Sequence, residues 1–385
     1  MRNSLRSVVL AAAEAGCFLF SAAAVGQQTG SVVGWGLSNY YGQLTAPPPN
    51  SGFVAIAVGG FHSLALRANG TIEAFGSNGD GACNVPVPNS GFKAIGAGVQ
   101  QTTWQPHSLY GYSVGLRTDG TISAWGMNLR GITVPPTPNA GFASIAAGGW
   151  AYSGGFLMGY THCLGLKVDG SVVGWGDGYY GELSAPPPNT GFIAVASGSE
   201  HSLGLKADGS IVGWGANFSG QLDVPAPNSG FVAVAAGAYH SLGLKADGSV
   251  VAWGDNEEGQ CNIPLPNSGF TAISACRQSL ALRANGSIEV FGGGTASVPQ
   301  PNSGYIAIAA GFYHNLALRA DPPLCYANCD GSAVQPLLTA NDFQCFMNKF
   351  AAGDSNANCD GSVQVPILTA NDFQCFMNAF AVGCS

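Results

Sequence analysis

A short phrase ending in an aromatic residue and a glycine returns seven times along the chain, and this repetition restricts the possible folds more than any other feature. The phrase first reads Ser-Val-Val-Gly-Trp-Gly at Ser31–Gly36. A second phrase, Pro-Asn-(Ser/Thr/Ala)-Gly-(Phe/Tyr), also occurs seven times. The aromatic residue of the first phrase lies at Trp35, Phe75, Trp125, Trp175, Trp214, Trp253 and Phe291, at spacings of 40, 50, 50, 39, 39 and 38 residues. This self-similarity predicts a repeat domain over residues 29–321.

Each repeat has the pattern of short strands joined by tight turns. Segments such as His62–Ala68 alternate small and large side chains, with the period of a strand. Asn-Gly or Asp-Gly then separates two such segments, and these pairs tolerate the positive φ of a two-residue hairpin. The chain contains 57 Gly and 22 Pro, and the proline-rich stretches break the pairing between repeats. The pattern predicts an all-β fold.

The two ends of the repeat region complement each other. The seventh repeat lacks its last strand because Pro322 replaces the hairpin glycine, whereas Ser31–Gly36 is a spare strand at the beginning. If Ser31–Gly36 pairs with His314–Ala320, a ring closes and two exposed edges disappear. We therefore predict a seven-bladed β-propeller. A parallel β-helix is the alternative, but its rungs are shorter and lack Asp-Gly hairpins.

The N-terminal segment indicates export. Arg2 and Arg6 precede an apolar stretch from Val8 to Phe20, which small residues follow, so residues 1–26 are predicted to be a secretory signal peptide. Lipid attachment at Cys17 is the alternative. No later segment offers the ~20 apolar residues that span a bilayer. The formal net charge is -8 and no basic run occurs, which argues against a nucleic-acid partner. We expect a secreted or cell-surface protein without a transmembrane span.

The repeats resemble a known family. Trp214-Gly215-Ala216-Asn217-Phe218-Ser219-Gly220-Gln221 follows the pattern W-G-x-N-x-x-G-Q, and A-x-G-x-x-H-S-L-x-L is also present. This combination resembles the repeat of the chromosome-condensation-regulator propellers. The repeats of about 39 residues and their Pro-x-Pro-x-Ser-Gly-Phe connections resemble more closely the secreted propeller-type β-lactamase inhibitors. The resemblance implies seven blades of four strands and a protein-binding rim.

No catalytic constellation stands out from the repeats. Five of the six histidines occupy one repeat position, which Tyr112 and Gln278 fill in the other two repeats. Histidines that recur with the blade are expected to be structural, and the chain is predicted not to be an enzyme. These five recurrent histidines are His62, His162, His201, His240 and His314.

Two insertions of about eleven residues interrupt the second and third repeats at equivalent places. Because equivalent loops emerge on one face of a propeller, their side chains should cluster there, and Trp and Tyr are frequent anchors of interfaces. The alternative is that the two loops pack only against each other. The predicted ligand-binding residues are Trp104, His107, Tyr110, Trp150, Tyr152, Phe156 and Tyr160.

Residues 325–385 contain a second, shorter duplication, in which Asn-Cys-Asp-Gly and Thr-Ala-Asn-Asp-Phe-Gln-Cys-Phe-Met-Asn each occur twice. This segment resembles a cysteine-rich dockerin, a small helical module with two calcium loops that binds cohesin-like modules. Hard oxygen ligands suit Ca²⁺, although a helical hairpin without metal is the alternative. The resemblance implies calcium ligands at Asn328, Asp330, Asp342, Asn356, Asn358, Asp360 and Asp372.

The duplicated segment also holds six of the eleven cysteines. It contains no histidine and no Cys-x-x-Cys pair, which favours disulfides over a zinc cluster. Matching positions in the two halves predict the pairs Cys329–Cys345 and Cys359–Cys375. The remaining pair, Cys325–Cys384, would join the ends of the module.

Taken together, these features predict a secreted, non-enzymatic binding or scaffold protein. Its propeller rim would bind a protein or glycan, and its tail would dock to a cohesin-like partner or the cell surface. One alternative is a carbohydrate-active hydrolase, which needs paired carboxylates in a cleft; another is a secreted enzyme inhibitor. The carboxylates available for a hydrolase are Asp177, Glu182, Asp223, Asp255, Glu257 and Glu258.

Overall fold

The computed structural model describes residues 28–37, 39–101, 109–149, 161–293, 297–321 and 340–351. The chain divides into two compact units, Met1–Ala320 and Asp321–Ser385. The regular elements described in the first unit are strands, and the element described in the second is the helix α1 (Ala340–Ala351). No helix among the described residues is long and apolar enough to cross a membrane.

The described strands of the first unit follow the repeats. One strand, β1, precedes the first repeat, and three strands lie in each repeat except the seventh, which has two. Their bounds are β1 (Gly30–Gly36), β2 (Phe53–Val58), β3 (His62–Arg67), β4 (Ile72–Gly76), β5 (Phe92–Gln101), β6 (Leu109–Arg117), β7 (Ile122–Gly126), β8 (Phe142–Ala147), β9 (His162–Lys167), β10 (Val172–Gly176), β11 (Phe192–Ser197), β12 (His201–Lys206), β13 (Ile211–Gly215), β14 (Phe231–Ala236), β15 (His240–Lys245), β16 (Val250–Gly254), β17 (Phe270–Ala275), β18 (Ser279–Arg283), β19 (Ile288–Phe291), β20 (Tyr305–Ala309) and β21 (His314–Ala320).

The strands form small antiparallel sheets arranged in a closed ring. Neighbouring strands of one repeat pair with each other, as β11, β12 and β13 do. The first strands of the repeats contact one another in cyclic order, and β20 returns to β2. The all-β prediction is therefore confirmed, and the arrangement is that of a propeller with one small sheet for each of the seven repeats.

The strand β1 closes the ring as predicted. All seven of its residues pair with β21, from Gly30 opposite Ala320 to Gly36 opposite His314. The last sheet is therefore β20, β21 and β1, and a single pair between Gly30 and Phe53 joins it to β2.

Each sheet has three described strands, not the four that the family resemblance implied. Proline has no backbone N–H and cannot extend a ladder as a donor. An asparagine side chain takes the place of a fourth strand: Asn228 Oδ1 accepts from the backbone N of Ile211 at 2.7 Å, and Asn228 Nδ2 donates to the backbone O of Ile211 at 2.8 Å. The equivalent asparagines are Asn50, Asn89, Asn139, Asn189, Asn267 and Asn302.

The apolar core lies between adjacent blades. Leu203 and Ile211 of one blade pack in the same cluster as Phe231 and Trp253 of the next. Glycine permits the closest approaches, because a Cβ at Gly204 would lie 2.4 Å from the ring of Phe192. Burial of such side chains is the main favourable contribution to the stability of the ring.

A basic side chain covers the first aromatic ring of every repeat. Lys206 Nζ lies 3.5 Å from the centroid of Phe192 and also donates to backbone carbonyls of the proline-rich segment. Seven of the 13 basic residues have this structural position, which leaves few cations for the rest of the surface. The seven are Arg67, Arg117, Lys167, Lys206, Lys245, Arg283 and Arg319.

Candidate functional site

The recurrent histidines form hydrogen bonds between blades. His201 Nε2 lies 3.0 Å from the Oγ of Ser241 in the next blade. Ser241 Oγ also donates to the backbone O of Gln221 at 2.8 Å, so it accepts from the imidazole N–H. The same contact links His62 to Ser113, His162 to Ser202, His240 to Ser279 and His314 to Ser63.

The two repeats without the histidine keep the link with different side chains. Gln278 Nε2 donates to Asn315 Oδ1 at 2.7 Å, in the places of histidine and serine. Tyr112 takes the histidine position in the second repeat, and Cys163 Sγ lies 3.6 Å from its hydroxyl. These seven links connect every blade to the next, and we call them the inter-blade belt.

Burial keeps the belt histidines neutral. Loss of solvation lowers the pKa of His62 and His240 to about 4, and that of His162, His201 and His314 to about 3. No group of three or more His, Cys, Asp or Glu side chains that could hold a metal ion occurs among the described residues. The belt histidines are therefore structural, as predicted.

The surface that differs between repeats is the one we call the loop face. It consists of the turns between the first and second strand of each repeat and the loops after the third strand. In an antiparallel sheet these connections lie at the same end. The strands that flank the two insertions, β5 and β6 in the second repeat and β8 and β9 in the third, meet the insertions at this face.

Of the seven predicted ligand-binding residues, Tyr110 lies within the described residues. It is in β6, half-buried and opposite Gln100 of β5. With 10 and 9 residues, β5 and β6 are longer than the 6-residue strands β2 and β3. Part of the second-repeat insertion thus prolongs a hairpin. Trp104, His107, Trp150, Tyr152, Phe156 and Tyr160 lie outside the described residues.

Aromatic side chains outside the insertions cluster on the loop face. The rings of Tyr179 and Tyr180 are 4.9 Å apart, and Phe218 is 5.2 Å from Tyr180. Tyr179 and Phe218 expose 69% and 74% of their surface, so blade packing does not account for them. A second row, in contact from ring to ring, comprises Tyr40, Tyr41, Phe61, Tyr313 and Phe312.

A cleft of about 480 Å³ opens beside the first aromatic cluster. Its lining includes Glu200, Phe218 and Tyr239. Glu200 exposes only 5% of its surface, and burial, followed by the negative charge of Glu182, raises its pKa to about 7. We call this space the Glu200 cleft; its full lining is Tyr180, Glu200, Phe218, Ser219, Tyr239, Asp255 and Glu257.

A neighbouring cleft of about 470 Å³ lies over the next blade and shares Tyr239, Asp255 and Glu257 with the first. Its charges are partly neutralised, because Glu258 and Arg277 form an ion pair at 2.6 Å. This pairing lowers the pKa of Glu258.

Three of the six carboxylates named for a hydrolase have separate surroundings. Asp177 is paired with Arg130 at 2.7 Å, and Asp223 Oδ1 accepts from Asn217 Nδ2 at 2.9 Å. Glu182 is buried, and burial raises its pKa. Asp255, Glu257 and Glu258 line one cleft. Sequence reasoning missed Glu200, although it was detectable as an exception: no other repeat has a carboxylate before the belt position.

The calcium and disulfide predictions concern the second unit. Asp342 lies in α1, and Asn328, Asp330, Asn356, Asn358, Asp360 and Asp372 lie outside the described residues. Cys345, also in α1, is disulfide-bonded. Its partner is not among the described residues, so the three pairings stay predictions. In the propeller, Cys83, Cys163 and Cys261 are free thiols.

Comparison with known proteins agrees with this architecture. Residues 53–82, 192–221 and 231–260 match the regulator of chromosome condensation (RCC1) repeat. No curated protein matches the chain.

Several solved structures are similar. In the crystal structure of Kap60 bound to yeast RCC1 (Prp20), the TM-score is 0.60 at 16% identity, covering 91% of this chain and 98% of that chain. The structure of Prp20p from Saccharomyces cerevisiae gives a TM-score of 0.57 at 16% identity, covering 87% of this chain and 97% of that chain. The ectodomain of the Arabidopsis thaliana receptor kinase ACR4 gives a TM-score of 0.51 at 21% identity, covering 72% of this chain and 92% of that chain. At these identities the likeness concerns the fold. Three segments of the chain therefore match the RCC1 repeat, and its all-β fold is similar to that of the RCC1-like propellers.

Proposed function

We propose that the protein is a secreted, non-enzymatic binding scaffold whose loop face captures a protein partner. The observation that carries the proposal is the exposure of Tyr179 and Phe218 beside the Glu200 cleft. Exposed aromatic side chains at a cleft are typical anchors of interfaces, because they bury much area at little entropic cost. A glycan that stacks on the same rings is the second ligand class that this surface suits.

The relatives support a protein partner over a glycan. The yeast RCC1 structure contains Kap60, and the study of Prp20p concerns its binding to Gsp1p and histones. Those partners belong to those proteins. What we carry over is the use of an RCC1-like propeller as a protein-binding surface.

Variants on the loop face, compared with a control variant elsewhere on the propeller, test this proposal. Tyr179→Ala and Phe218→Ala should each weaken capture of secreted proteins by about tenfold, as should Trp104→Ala and Trp150→Ala in the insertions. Leu265→Ala is the matched control, since Leu265 is 87% exposed but lies two residues before Asn267, which bonds Val250 at the start of β16, the end of the strand opposite the loop face. Equal capture by the control and all four variants would refute a loop-face partner.

For the second unit we propose docking to a cohesin-like partner or the cell surface, with Ca²⁺ held by the duplicated Asn-x-Asp-Gly loops. Asp330→Ala combined with Asp360→Ala should abolish any calcium-dependent rise in the melting temperature of the full chain. A cohesin pull-down with and without chelator should lose its signal with chelator. A signal that is unaffected by chelator would contradict the calcium proposal.

A hydrolase is the second candidate function, and the Glu200 cleft is the observation that favours it. A carboxyl group with a raised pKa suits a general acid, and Asp255 and Glu257 line the same cleft. Release of reducing sugar from a polysaccharide panel, lost in Glu200→Gln, would replace the binding proposal by this one. An inhibitor function, by analogy with the propeller-type β-lactamase inhibitors, is a special case of protein capture and is tested by the same variants.

A further inference from the structure

We propose that the Glu200 cleft receives the cationic side chain, lysine or arginine, of a polypeptide partner. The inference deepens the proposed function, because it assigns a chemistry to the partner that the loop face binds.

The carboxyl group of Glu200 is not required by the fold. At its position, directly before the belt residue, the other repeats have Phe61, Gly111, Thr161, Tyr239, Arg277 and Tyr313. The structural role of the position belongs to the backbone: the carbonyl of Glu200 accepts from Ala216 N at 2.8 Å, as the carbonyl of Phe61 accepts from Ser77 N. A nearly buried acid at a position that tolerates glycine, threonine and phenylalanine requires another explanation.

Glu182, in the neighbouring blade, is a second exception to the repeat. Three other repeats have glutamine there, and in all four the side-chain oxygen accepts from the backbone N two residues earlier, at 2.8 Å for Glu182. The second oxygen of Glu182 replaces the amide donor of glutamine. That oxygen is buried and has no hydrogen-bond partner among the described residues. Both exceptions adjoin Gly215, where a Cβ would lie 2.7 Å from Glu200 O and 3.2 Å from Glu182 Cβ.

The walls of the cleft are suited to a cation. Tyr180 and Phe218 meet edge to face, and Phe218 offers its ring to solvent. A cation over such rings is stabilised by their negative faces, in addition to its attraction to a carboxylate. The hydroxyl of Tyr239 is buried and also lacks a partner among the described residues, so it provides a further acceptor.

No cation among the described residues lines this cleft. Its lining residues include Glu200, Asp255 and Glu257 but neither lysine nor arginine. Arg277 belongs to the neighbouring cleft, where it is paired with Glu258, and Arg130 is paired with Asp177. The potential inside the cleft is therefore negative, which favours a cationic ligand and disfavours an anionic one.

The site makes binding dependent on pH. Glu200 faces Glu182, Tyr180, Tyr239, Asp255 and Glu257 from the packed loops, and with a pKa of about 7 it is mostly protonated at pH 6. A cation binds the ionised form, so affinity should rise with pH. The ionised fraction at pH 8 is about ten times that at pH 6, which sets the expected change in affinity.

The test uses the full chain and three pentapeptides with acetylated N-termini and amidated C-termini: Gly-Gly-Lys-Gly-Gly, its arginine counterpart and its norleucine counterpart. Titration followed by NMR should show binding of a cationic peptide, with shifts at Tyr239, and no saturation with norleucine. The lysine and arginine arms identify which cation is preferred. Affinity at pH 8 should exceed that at pH 6 by about five- to tenfold.

Variants distinguish this site from general electrostatic attraction. Glu200→Gln should reduce affinity at pH 8 by about tenfold and remove the pH dependence. Glu73→Gln is the matched control: it changes the net charge equally, and Glu73 lies on the outer strand of the first blade. Phe218→Ala, at an exposed position where folding is not at risk, should also reduce affinity several-fold.

Equal binding of norleucine and lysine peptides, or equal affinity of Glu200→Gln and Glu73→Gln, would overturn the proposal. Its failure is distinguishable from failure of the proposed function. If the peptides do not bind but Tyr179→Ala still loses capture of the natural partner, the loop face binds a partner by other contacts.

Discussion

Nε2 of His314 lies 2.8 Å from Oγ of Ser63, although 251 positions separate the two residues in the sequence. This contact closes the inter-blade belt between the last blade and the first, beside the backbone ladder that joins β1 to β21. The ring is thus closed twice, by a strand and by a buried side-chain contact.

The belt should accept the glutamine–asparagine pair at a new place. His201→Gln alone should lower the free energy of unfolding by about 2 kcal/mol, because glutamine does not reproduce the reach of imidazole to Ser241. His201→Gln with Ser241→Asn copies Gln278 and Asn315, and should recover at least about 1 kcal/mol. Chemical denaturation of the two single variants and the double variant measures this coupling. A double variant as unstable as the sum of the singles would show that the pair is specific to its own blades.

The propeller should be labile to acid. The folded pKa values of the belt histidines, about 3 to 4, lie below the unfolded value of 6.5. Between these values the unfolded chain binds more protons, so stability is fully present above pH 6.5 and falls as pH decreases. Five such groups allow a slope of up to about 7 kcal/mol per pH unit near pH 5. Thermal unfolding from pH 8 to pH 4 measures it. The His201→Gln/Ser241→Asn variant should reduce the slope by about a fifth, and an unchanged slope would contradict the assignment.

The asparagine that replaces a fourth strand should be sensitive to loss of its amide. Asn228→Asp keeps an acceptor for Ile211 N but places a second oxygen against Ile211 O, and should cost about 2–3 kcal/mol. Asn285→Asp is the control and should be nearly neutral, because the equivalent hairpin positions already hold Asp119, Asp208 and Asp247. Urea denaturation compares the two, and similar stabilities would show that the asparagine contact is dispensable.

Loss of β1 should open the ring. Deletion of Ser31–Gly36 exposes the edge of His314–Ala320, so we expect loss of cooperative unfolding and aggregation. Deletion of residues 1–26 leaves β1 intact and serves as the control. Size-exclusion chromatography and calorimetry make the comparison. A deletion variant that stays monomeric with an unchanged melting temperature would refute the closing role of β1.

The six cysteines of the second unit should form Cys329–Cys345, Cys359–Cys375 and Cys325–Cys384. Each link could contribute ~2–4 kcal/mol by restricting the unfolded chain. Mass spectrometry of peptides prepared without reduction should find these three links. Free thiols at the six positions of the exported protein would contradict both the pairing and the secreted location.

The sequence predicted the parts of the fold that are repeated. Asp-Gly turns such as Asp208-Gly209, where Gly209 has a φ of 80°, and the pairing of β1 with β21 were predictable because local chemistry and chain ends specify them. The asparagine contacts were not predicted, since the Pro-Asn phrase was interpreted only as a break in the pairing of strands. The belt was also missed as a network, because histidine and serine meet across about forty residues of sequence.

The candidate site was predictable in kind but not in place. Aromatic residues in the irregular loops indicated the loop face, and Tyr179 and Phe218 are exposed there. The carboxyl group of Glu200 was overlooked because the position before the belt residue varies among the repeats, so a single acid there gives no periodic signal. Only the contact between neighbouring blades brings it near Glu182.

The register of β1 on β21 also determines how the propeller responds to a pulling force. Gly30 and Ala320 are opposite each other, so the chain begins and leaves the ring at the same end of one antiparallel ladder. Tension applied through the two flanking segments would separate this ladder pair by pair from Gly30, because no other pair bears the load until the first has opened. A ladder loaded in this direction yields at a much lower force than one whose strands must slide past each other. A protein tethered through both flanking segments would therefore open first at β1.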